Sequence, residues 1–381
     1  MFKSKKIVFL TGTRADFGKL KSLISITQKH RSYEVHLFAT GMHMNSLYGS
    51  TIDEIRKSKF DNIYPFINHD SIGNMDRTLA KTIDGFSHFV SEVQPDLIVV
   101  HGDRVEALAG AIVGSLNNIL VAHVEGGEVS GTIDELIRHA VSKMSHVHLV
   151  ANKLAKRRLL QLGELPSSTH IIGSPDLDLM NPKLLPSLDS AMQYYGIEFE
   201  SYSIAMYHPV TTSYKVVSQH VKDFVSALLD SNDNFIVVYP NNDLGSFEIL
   251  KEYDRLKNHQ RFKVFPSLRF EYFLALLKNA NYLIGNSSAG IREAPYYNTP
   301  SIDIGSRQMN RSSGPSIFNA SDDYESIMKS MKLSKEFNSN ATKRKSDFGQ
   351  GGSDIKFLNL LNSNKIWSLD CQKQFQDLNY E

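Results

Sequence analysis

The sequence has little cysteine, no long apolar run and no excess of charge of either sign. Its 381 residues include one cysteine, Cys371, so an intrachain disulfide is impossible and a cysteine-based metal site is not expected. A single cysteine fits a reducing compartment, and we expect a cytoplasmic protein. With 42 basic and 41 acidic residues the net charge is +1, which lacks the basic surplus of non-specific nucleic-acid binders. No nucleic-acid partner is therefore predicted.

Apolar runs are short throughout the chain. None approaches the roughly 18 residues of a membrane span, so no membrane association is expected. The apolar run in the opening "MFKSKKIVFLTG" is shorter than the roughly 7–15 residues of a signal sequence, and it reads as a first buried strand. What is present, 41% hydrophobic and 22% charged residues, is typical of a soluble globular protein. The length exceeds one typical core, so two domains are expected.

Short apolar runs alternate with segments of helical periodicity in the first half of the chain. Several runs are near-continuous in Val, Ile and Leu, as in parallel strands that are covered on both faces. Helical patterns over 104–118 and 132–147 lie between such runs. The alternation predicts a doubly wound parallel sheet. The predicted strands are 6–12, 34–40, 96–102, 119–125, 147–152 and 170–174.

The alternation stops at a proline-containing segment and then resumes, which predicts a second Rossmann-like domain. We expect an N-terminal domain over 1–178 and a C-terminal Rossmann-like domain over 179–354. A helical pattern within 355–381 is expected to pack back on the first domain. The strands predicted for the second domain are 202–208, 235–241, 262–267, 282–288 and 300–305.

Polar and charged side chains follow almost every predicted strand. Ligands of open parallel sheets bind beyond the carboxyl ends of the strands, so this pattern predicts a cleft shared by the two domains. Asp103 and Glu125 follow consecutive strands, and neighbouring strands would bring these carboxylates within roughly 5–10 Å. Such a cluster can raise one pKa and divide acid and base roles. The alternatives for Asp103 are a salt bridge with Arg104 or capping of the following helix, and a similar structural role is the alternative for Glu125. For Asp134 the alternative is a helix N-terminal role.

Two loops are candidates for phosphate binding. "GNSSAGIRE" joins a strand to a helix start, where free N–H groups and the helix dipole favour an anion; an ordinary capped helix is the alternative. Ser287 and Ser288 add hydroxyl donors there, and Glu293 can accept from ribose hydroxyls. "GTRADFG" is neither a Walker motif nor GxGxxG, so Arg14 is predicted to meet phosphate through its side chain. The histidines lack HExxH-type spacing, and no metal site is predicted.

Seven motifs in order resemble one family. "GTRADFGKL", "HGDRVEAL", "HVEGGEVSGTIDELIRHAVSKMSH", "GSPDLD", "HPVTT", "PNNDLG" and "GNSSAGIREAPYYNTPSIDIGSRQMNR" are similar to the hydrolysing UDP-N-acetylglucosamine 2-epimerases of bacterial sialic acid synthesis. The resemblance implies a GT-B fold, two Rossmann-like doubly wound domains with UDP in the cleft. It implies elimination of UDP across carbons 1 and 2 to a glucal, then addition of water to give N-acetylmannosamine. No metal or redox cofactor is implied.

The resemblance assigns roles residue by residue. The family's catalytic carboxylates fall on Asp103, Glu125 and Asp134, and its active-site histidine falls on His208. One of these groups must take the proton from carbon 2, and another must assist water addition or the leaving group. The positions that match family contacts with UDP or the sugar are Arg14, Lys19, Arg104, Asn241, Phe273, Ser287, Ser288, Glu293 and Arg307. Phe273 can stack near the uracil, although its own pattern is that of a core aromatic.

Two segments indicate the hydrolysing branch. The first loop reads "GTRAD" where non-hydrolysing epimerases typically have Gly-Thr-Arg-Pro-Glu, and the region from Glu125 reads "EGGEVSGTIDE" where they have Glu-Ala-Gly-Leu-Arg. An alternative within this branch is an enzyme acting on a UDP- or GDP-linked 2,4-diacetamido-6-deoxy sugar for legionaminic acid; Lys19 favours N-acetylglucosamine.

Two alternatives come from other classes. A GT-B glycosyltransferase would leave the carboxylate cluster without a purpose, and a non-catalytic UDP-sugar-binding protein would need no general base. Relatives form dimers or tetramers, so a homodimer or homotetramer is expected. The expected pathway is sialic acid, capsule or lipooligosaccharide biosynthesis.

Overall fold

A computed structural model describes most of the chain. The described residues are 4–49, 51–68, 74–130, 132–210, 216–309, 314–337, 348–349, 351–374 and 376–377. Their contacts divide the chain into two compact units, one made of 1–128, 134–179 and 348–381 and the other of 129–133 and 180–347. Among the described residues, no helix has the length and apolar character needed to cross a bilayer.

The first unit is built on a seven-stranded parallel sheet. Its strands lie in the order β3-β2-β1-β4-β5-β6-β7, which places β4 and β5 side by side. The strands are β1 (Lys5–Thr11), β2 (Tyr33–Ala39), β3 (Ile63–Pro65), β4 (Leu97–His101), β5 (Leu120–Val124), β6 (Val147–Val150) and β7 (Thr169–Ile171). The connecting helices are α1 (Arg14–Gln28), α2 (Ile52–Lys57), α3 (Met75–Val93), α4 (Val105–Leu116), α5 (Ile133–Met144), α6 (Lys153–Gln161) and α7 (Asp176–Leu179).

The second unit repeats the design with a six-stranded parallel sheet of order β10-β9-β8-β11-β12-β13. The sheet consists of β8 (Ser203–Met206), β9 (Phe235–Val238), β10 (Phe262–Phe265), β11 (Leu283–Gly285), β12 (Ser301–Ile304) and β13 (Ile317–Ala320). The helices are α8 (Leu188–Tyr195), α9 (Val217–Asp230), α10 (Ser246–Tyr253), α11 (Phe270–Lys278), α12 (Glu293–Tyr297) and α13 (Tyr324–Lys335). The two sheets confirm the predicted pair of Rossmann-like folds.

The C-terminal segment belongs to the first unit. It forms α14 (Ser353–Asn362) and α15 (Asn364–Trp367). Phe357 enters the core of the first sheet, where its ring centroid lies 6.2 Å from that of Phe9. The single tryptophan, Trp367, packs against the same core.

The contacts pass from the first unit to the second after Leu179 and return at Phe348. The first crossing lies one residue beyond the sequence-based boundary. The return lies earlier than the expected residue 355, because the backbone N–H of Ser174 donates to Phe348 O at 2.8 Å. Asp178 adds bonds from the backbone N–H groups of Ser353 and Asp354, both at 3.0 Å. The expected loop 343–354 lies largely outside the described residues.

Candidate active site

The loop after β1 is shaped by a carboxylate where a dinucleotide fold has glycines. Thr13 caps α1, and its Oγ1 accepts from the backbone N–H of Asp16 at 3.1 Å. The Asp16 carboxylate in turn accepts from the N–H groups of Gly12 and Thr13, both at 3.0 Å. Because these N–H groups already donate to side chains of the same segment, they do not form a phosphate-binding cradle. Arg14, the first residue of α1, lies with Nε 2.8 Å from Glu54 Oε2.

Asp103 is the second residue after β4, and Glu125 is the first residue after the neighbouring strand β5. The register pairs His101 with Val124, so the two strands end at one edge of the sheet, as the sequence predicted. Glu125 has φ of +67°, a left-handed conformation that is rare for a residue with a side chain and is typical of functional sites. Arg138 on α5 donates to the Asp103 carboxylate and gives it a buried counter-charge.

Three side chains contact the Glu125 carboxylate. Its Oε2 lies 3.1 Å from His101 Nε2 and 3.9 Å from Lys19 Nζ. Its Oε1 accepts a hydrogen bond from Ser174 Oγ. Lys19 Nζ also lies 3.6 Å from Asp176 Oδ2. The site thus alternates buried carboxylates with cations, an arrangement that can keep a carboxylate both ionised and oriented.

His123 on β5 hydrogen-bonds to residues at the same edge of the sheet. Its Nε2 lies 2.8 Å from Gly102 O, so this nitrogen carries the proton and donates. Its Nδ1 lies 2.9 Å from Ser142 Oγ on α5 and accepts. Burial lowers the pKa of His123 to about 3, which keeps the ring neutral. The neutral ring links α5 to the backbone immediately before Asp103.

Two other sequence-predicted residues lie near these strand ends. Asp134 is half-buried in the first turn of α5 and lies one turn before Arg138. Arg104 immediately precedes α4, with Nε 3.8 Å from Glu106 Oε2. Glu106 is itself buried and accepts from Asn68 Nδ2 at 3.4 Å. The first unit therefore brings Arg14, Lys19, Asp103, Arg104, Glu125 and Asp134 to loops or helix starts beyond its strands.

In the second unit, Asn286 positions His208. Its side-chain Oδ1 accepts from the His208 N–H at 2.7 Å, and its Nδ2 donates to His208 O at 2.8 Å. The Asn241 N–H donates to His208 Nδ1 at 3.0 Å, so the neutral ring carries its proton on Nε2. Arg307 Nη1 donates to Asn286 O at 3.2 Å. His208 therefore presents a donor, Nε2–H, to its surroundings.

The backbone of the loop after β11 packs closely against neighbouring backbone. Gly285 has φ of +138°, and a Cβ there would lie 1.9 Å from Met206 O, so this position requires glycine. Ser287 Oγ accepts from the Ala289 N–H at 3.3 Å and caps a short 3-10 helix that begins at Ser288. Glu293 begins α12 and is buried.

Phe273 lies in α11 and is 7% exposed. This burial matches the core-aromatic alternative as well as a ring at the edge of a ligand site, so its role stays a prediction.

Comparison with known proteins gives the family. The family model for UDP-N-acetylglucosamine 2-epimerase matches residues 26–362. A UDP-N-acetylglucosamine 2-epimerase of Neisseria meningitidis serogroup B is 46% identical over 98% of this chain and 100% of its own. A Legionella pneumophila UDP-N,N'-diacetylbacillosamine 2-epimerase (hydrolyzing) is 31% identical over 94% of this chain and 95% of its own. This chain belongs to the UDP-N-acetylglucosamine 2-epimerase family.

A solved epimerase structure shows the same fold. The Methanocaldococcus jannaschii UDP-GlcNAc 2-epimerase, solved with UDP-GlcNAc and UDP, aligns with a TM-score of 0.80 at 20% identity. The alignment covers 94% of this chain and 99% of that one. At this identity the match shows the fold, which is GT-B as predicted.

Each unit contains buried residues to which the sequence analysis assigned no role and which contact predicted site residues. Ser174, Asp176, Arg138 and Asn286 are all buried and contact predicted site residues. All four residues lie within the motifs quoted in the sequence analysis, and these motifs were the signal that could have identified them. Within the described part of the chain, no group of three or more His, Cys, Asp and Glu side chains is arranged to hold a metal ion.

Proposed function

We propose that the protein is a hydrolysing 2-epimerase that converts UDP-N-acetylglucosamine and water to N-acetylmannosamine and UDP. The product would feed sialic acid, capsule or lipooligosaccharide biosynthesis. The observation that carries the proposal is the arrangement at the ends of β4 and β5, where Asp103 and Glu125 are each paired with a buried cation. The 46% identity to the Neisseria epimerase supports the substrate.

The reaction needs a base, an acid and a place for developing phosphate charge. A carboxylate takes the proton from carbon 2, the bond from carbon 1 to the UDP oxygen breaks, and a carbon 1–carbon 2 double bond forms. Water then adds its hydroxyl to carbon 1, and a proton returns to carbon 2 on the opposite face. Asp103, Glu125 and Asp134 supply carboxylates for these transfers.

His208 is better suited to donate than to accept a proton. Its Nδ1 is occupied by the Asn241 N–H, so the neutral ring offers only Nε2–H. We assign it to hydrogen bonding with an oxygen that gains negative charge. Arg14, Arg104 and Arg307 are assigned to UDP, whose departure they would stabilise as cations. We further propose a cytoplasmic homodimer or homotetramer; the single cysteine supports the compartment.

Proton NMR of the reaction in heavy water tests the proposal. The purified protein is incubated with UDP-N-acetylglucosamine, and we expect free N-acetylmannosamine and UDP, with deuterium at carbon 2. UDP-N-acetylmannosamine would place the protein in the non-hydrolysing branch. Turnover only with a UDP- or GDP-linked 2,4-diacetamido-6-deoxy sugar would favour the reaction named for the Legionella relative. Binding of UDP-sugar without turnover of either substrate would indicate a non-catalytic protein.

A further inference from the structure

The segment between β7 and α7 brings two buried polar side chains to Glu125. Ser174 is 0% exposed and Asp176 is 1% exposed. The backbone of Ser174 is fixed from both sides: its N–H donates to Phe348 O at 2.8 Å, and its carbonyl accepts from the Leu177 N–H at 3.1 Å. Its hydroxyl donates to Glu125 Oε1. A buried hydroxyl held this firmly can set the direction of the carboxylate that it contacts.

Asp176 acts on Glu125 through Lys19. The Lys19 ammonium is almost fully buried, 3.6 Å from Asp176 Oδ2 and 3.9 Å from Glu125 Oε2. Asp176 therefore holds the ammonium beside Glu125.

The two residues thus act on the carboxylate by different routes. Ser174 donates directly to Oε1, whereas Asp176 acts through the Lys19 ammonium beside Oε2. Both contacts favour the ionised form, in which a general base accepts a proton. His101 from the end of β4 faces the same Oε2 at 3.1 Å, and His123 on β5 senses the charge of Glu125.

We propose that Ser174 and Asp176 are positioning residues for the epimerase reaction. Ser174 aims the Glu125 carboxylate through Oε1, and Asp176 anchors Lys19 against Oε2. This inference rests on the proposed function only in naming the reaction, because the contacts stand without it. The competing explanation is that Ser174 and Asp176 only pack the segment that leads from the first unit to the second.

Carbon NMR of the full-length protein labelled with ¹³C at the glutamate side-chain carboxyl separates the two explanations. Glu125→Gln identifies the Glu125 signal, whose pH titration is then followed in Ser174→Ala and Asp176→Asn. We expect the Glu125 titration midpoint to move to higher pH in both variants, because Ser174→Ala removes the hydrogen bond to Oε1 and Asp176→Asn releases Lys19 from Oε2. A midpoint that stays in place in Ser174→Ala, or that moves to lower pH in Asp176→Asn, would overturn the proposal.

Ser353→Ala is the matched control. Ser353 is a fully buried serine beside Gly173, and among the described residues its Oγ has no hydrogen-bond partner. Its removal should leave the Glu125 titration unchanged; a shift equal to that of Ser174→Ala would show a packing effect and overturn the proposal. Should Asp176→Asn fail to fold, the smaller Asp176→Ser serves for the same measurement.

Kinetics then link the positioning to the reaction. We expect kcat of Ser174→Ala to fall by up to about 100-fold, with an unchanged Kd for UDP, because misplacing a catalytic group costs roughly this much. A wild-type protein without turnover would refute the proposed function, whereas the NMR titrations would still decide the roles of Ser174 and Asp176.

Discussion

The loop that precedes Arg14 is organised by a carboxylate and not by a run of glycines. The amides of this loop are occupied by Asp16, and the Nε of Arg14 lies 2.8 Å from Glu54 on α2. The guanidinium has further donors on its terminal nitrogens, whose fork geometry suits phosphate. Glu54 thereby orients the arginine without using all of its hydrogen-bonding capacity.

Arg14→Ala should weaken UDP binding by about 10- to 100-fold, since a charge-assisted hydrogen bond contributes roughly 1.5–3 kcal/mol. Isothermal titration calorimetry with UDP measures the change. Arg56→Ala is the control, because Arg56 makes an exposed pair with Asp53 on the same helix α2 as Glu54. An unchanged affinity in Arg14→Ala would refute the phosphate role.

Asp103→Asn should keep UDP binding and lose most turnover. An amide cannot accept the proton that a carboxylate accepts, and it leaves the buried Arg138 without its counter-charge. Steady-state release of UDP gives kcat, and calorimetry gives the Kd. The control is Asp84→Asn on α3, whose carboxylate is exposed. Near-normal kcat in Asp103→Asn would remove Asp103 from the catalytic set.

The sequence analysis predicted candidate site residues that come soon after strands. It missed partner residues whose contacts depend on which strands are neighbours in the sheet. Asp103 and Glu125 follow strands that are consecutive in sequence and adjacent in the sheet. Asn286 meets His208 because β11 pairs with β8, a crossover that no local pattern reveals. Ser174 reaches Glu125 across 49 positions of sequence, and only the folded sheet brings them together.

At the scale of elements, burial decided what could be predicted. Strands such as β4 and β5 are buried at every residue, and their apolar runs stand out from the sequence. The structure adds the edge strands β3 and β13, which the sequence analysis missed. β3 has three residues, two of them exposed, and it includes a proline; β13 is only partly buried. Such edge strands carry little hydrophobic signal.

Lys373, in the C-terminal segment after α15, contacts the carboxyl end of α5. Lys373 Nζ donates to the carbonyls of Lys143 at 2.9 Å and Ser145 at 2.7 Å, at the carboxyl end of the helix. It also lies 2.6 Å from Glu164 Oε2. A cation at this position satisfies terminal carbonyls and complements the helix dipole. The same helix carries Asp134 and Arg138 at its other end.

Lys373→Met should lower the stability of the first unit by about 1–3 kcal/mol, since it removes a donor from the Ser145 carbonyl and a cation from the buried Glu164 carboxylate. Thermal unfolding followed by far-ultraviolet circular dichroism measures the loss as a lower Tm. Lys257→Met serves as the control, because Lys257 forms an exposed pair with Asp254. Equal changes of Tm in the two variants would contradict a fastening role for Lys373.

At the scale of the whole molecule, buried neutral histidines couple folding to pH. Burial lowers the pKa of His43 to about 4, although Asp16 partly opposes the shift, and it lowers that of His123 to about 3. Both pKa values lie below 6.5, the value expected in the unfolded chain. At pH values between each folded-state pKa and 6.5, the unfolded chain binds more protons than the folded chain. The contribution of these histidines to the free energy of unfolding is therefore complete above about pH 6.5 and decreases as the pH falls.

The fluorescence of Trp367 provides a local probe of this dependence, because this only tryptophan packs against the core of the unit that holds both histidines. Urea unfolding followed by its emission between pH 7.5 and 5 should show a decreasing free energy of unfolding. Each buried histidine contributes a slope of about 1.4 kcal/mol per pH unit well below its unfolded pKa. His43→Gln removes one titrating group and should reduce the slope by that amount, whereas His88→Gln, which changes an exposed side chain, should leave it unchanged. An equal slope in His43→Gln and the wild type would show that His43 is protonated in the folded protein, contrary to its burial between Thr11 and Thr51.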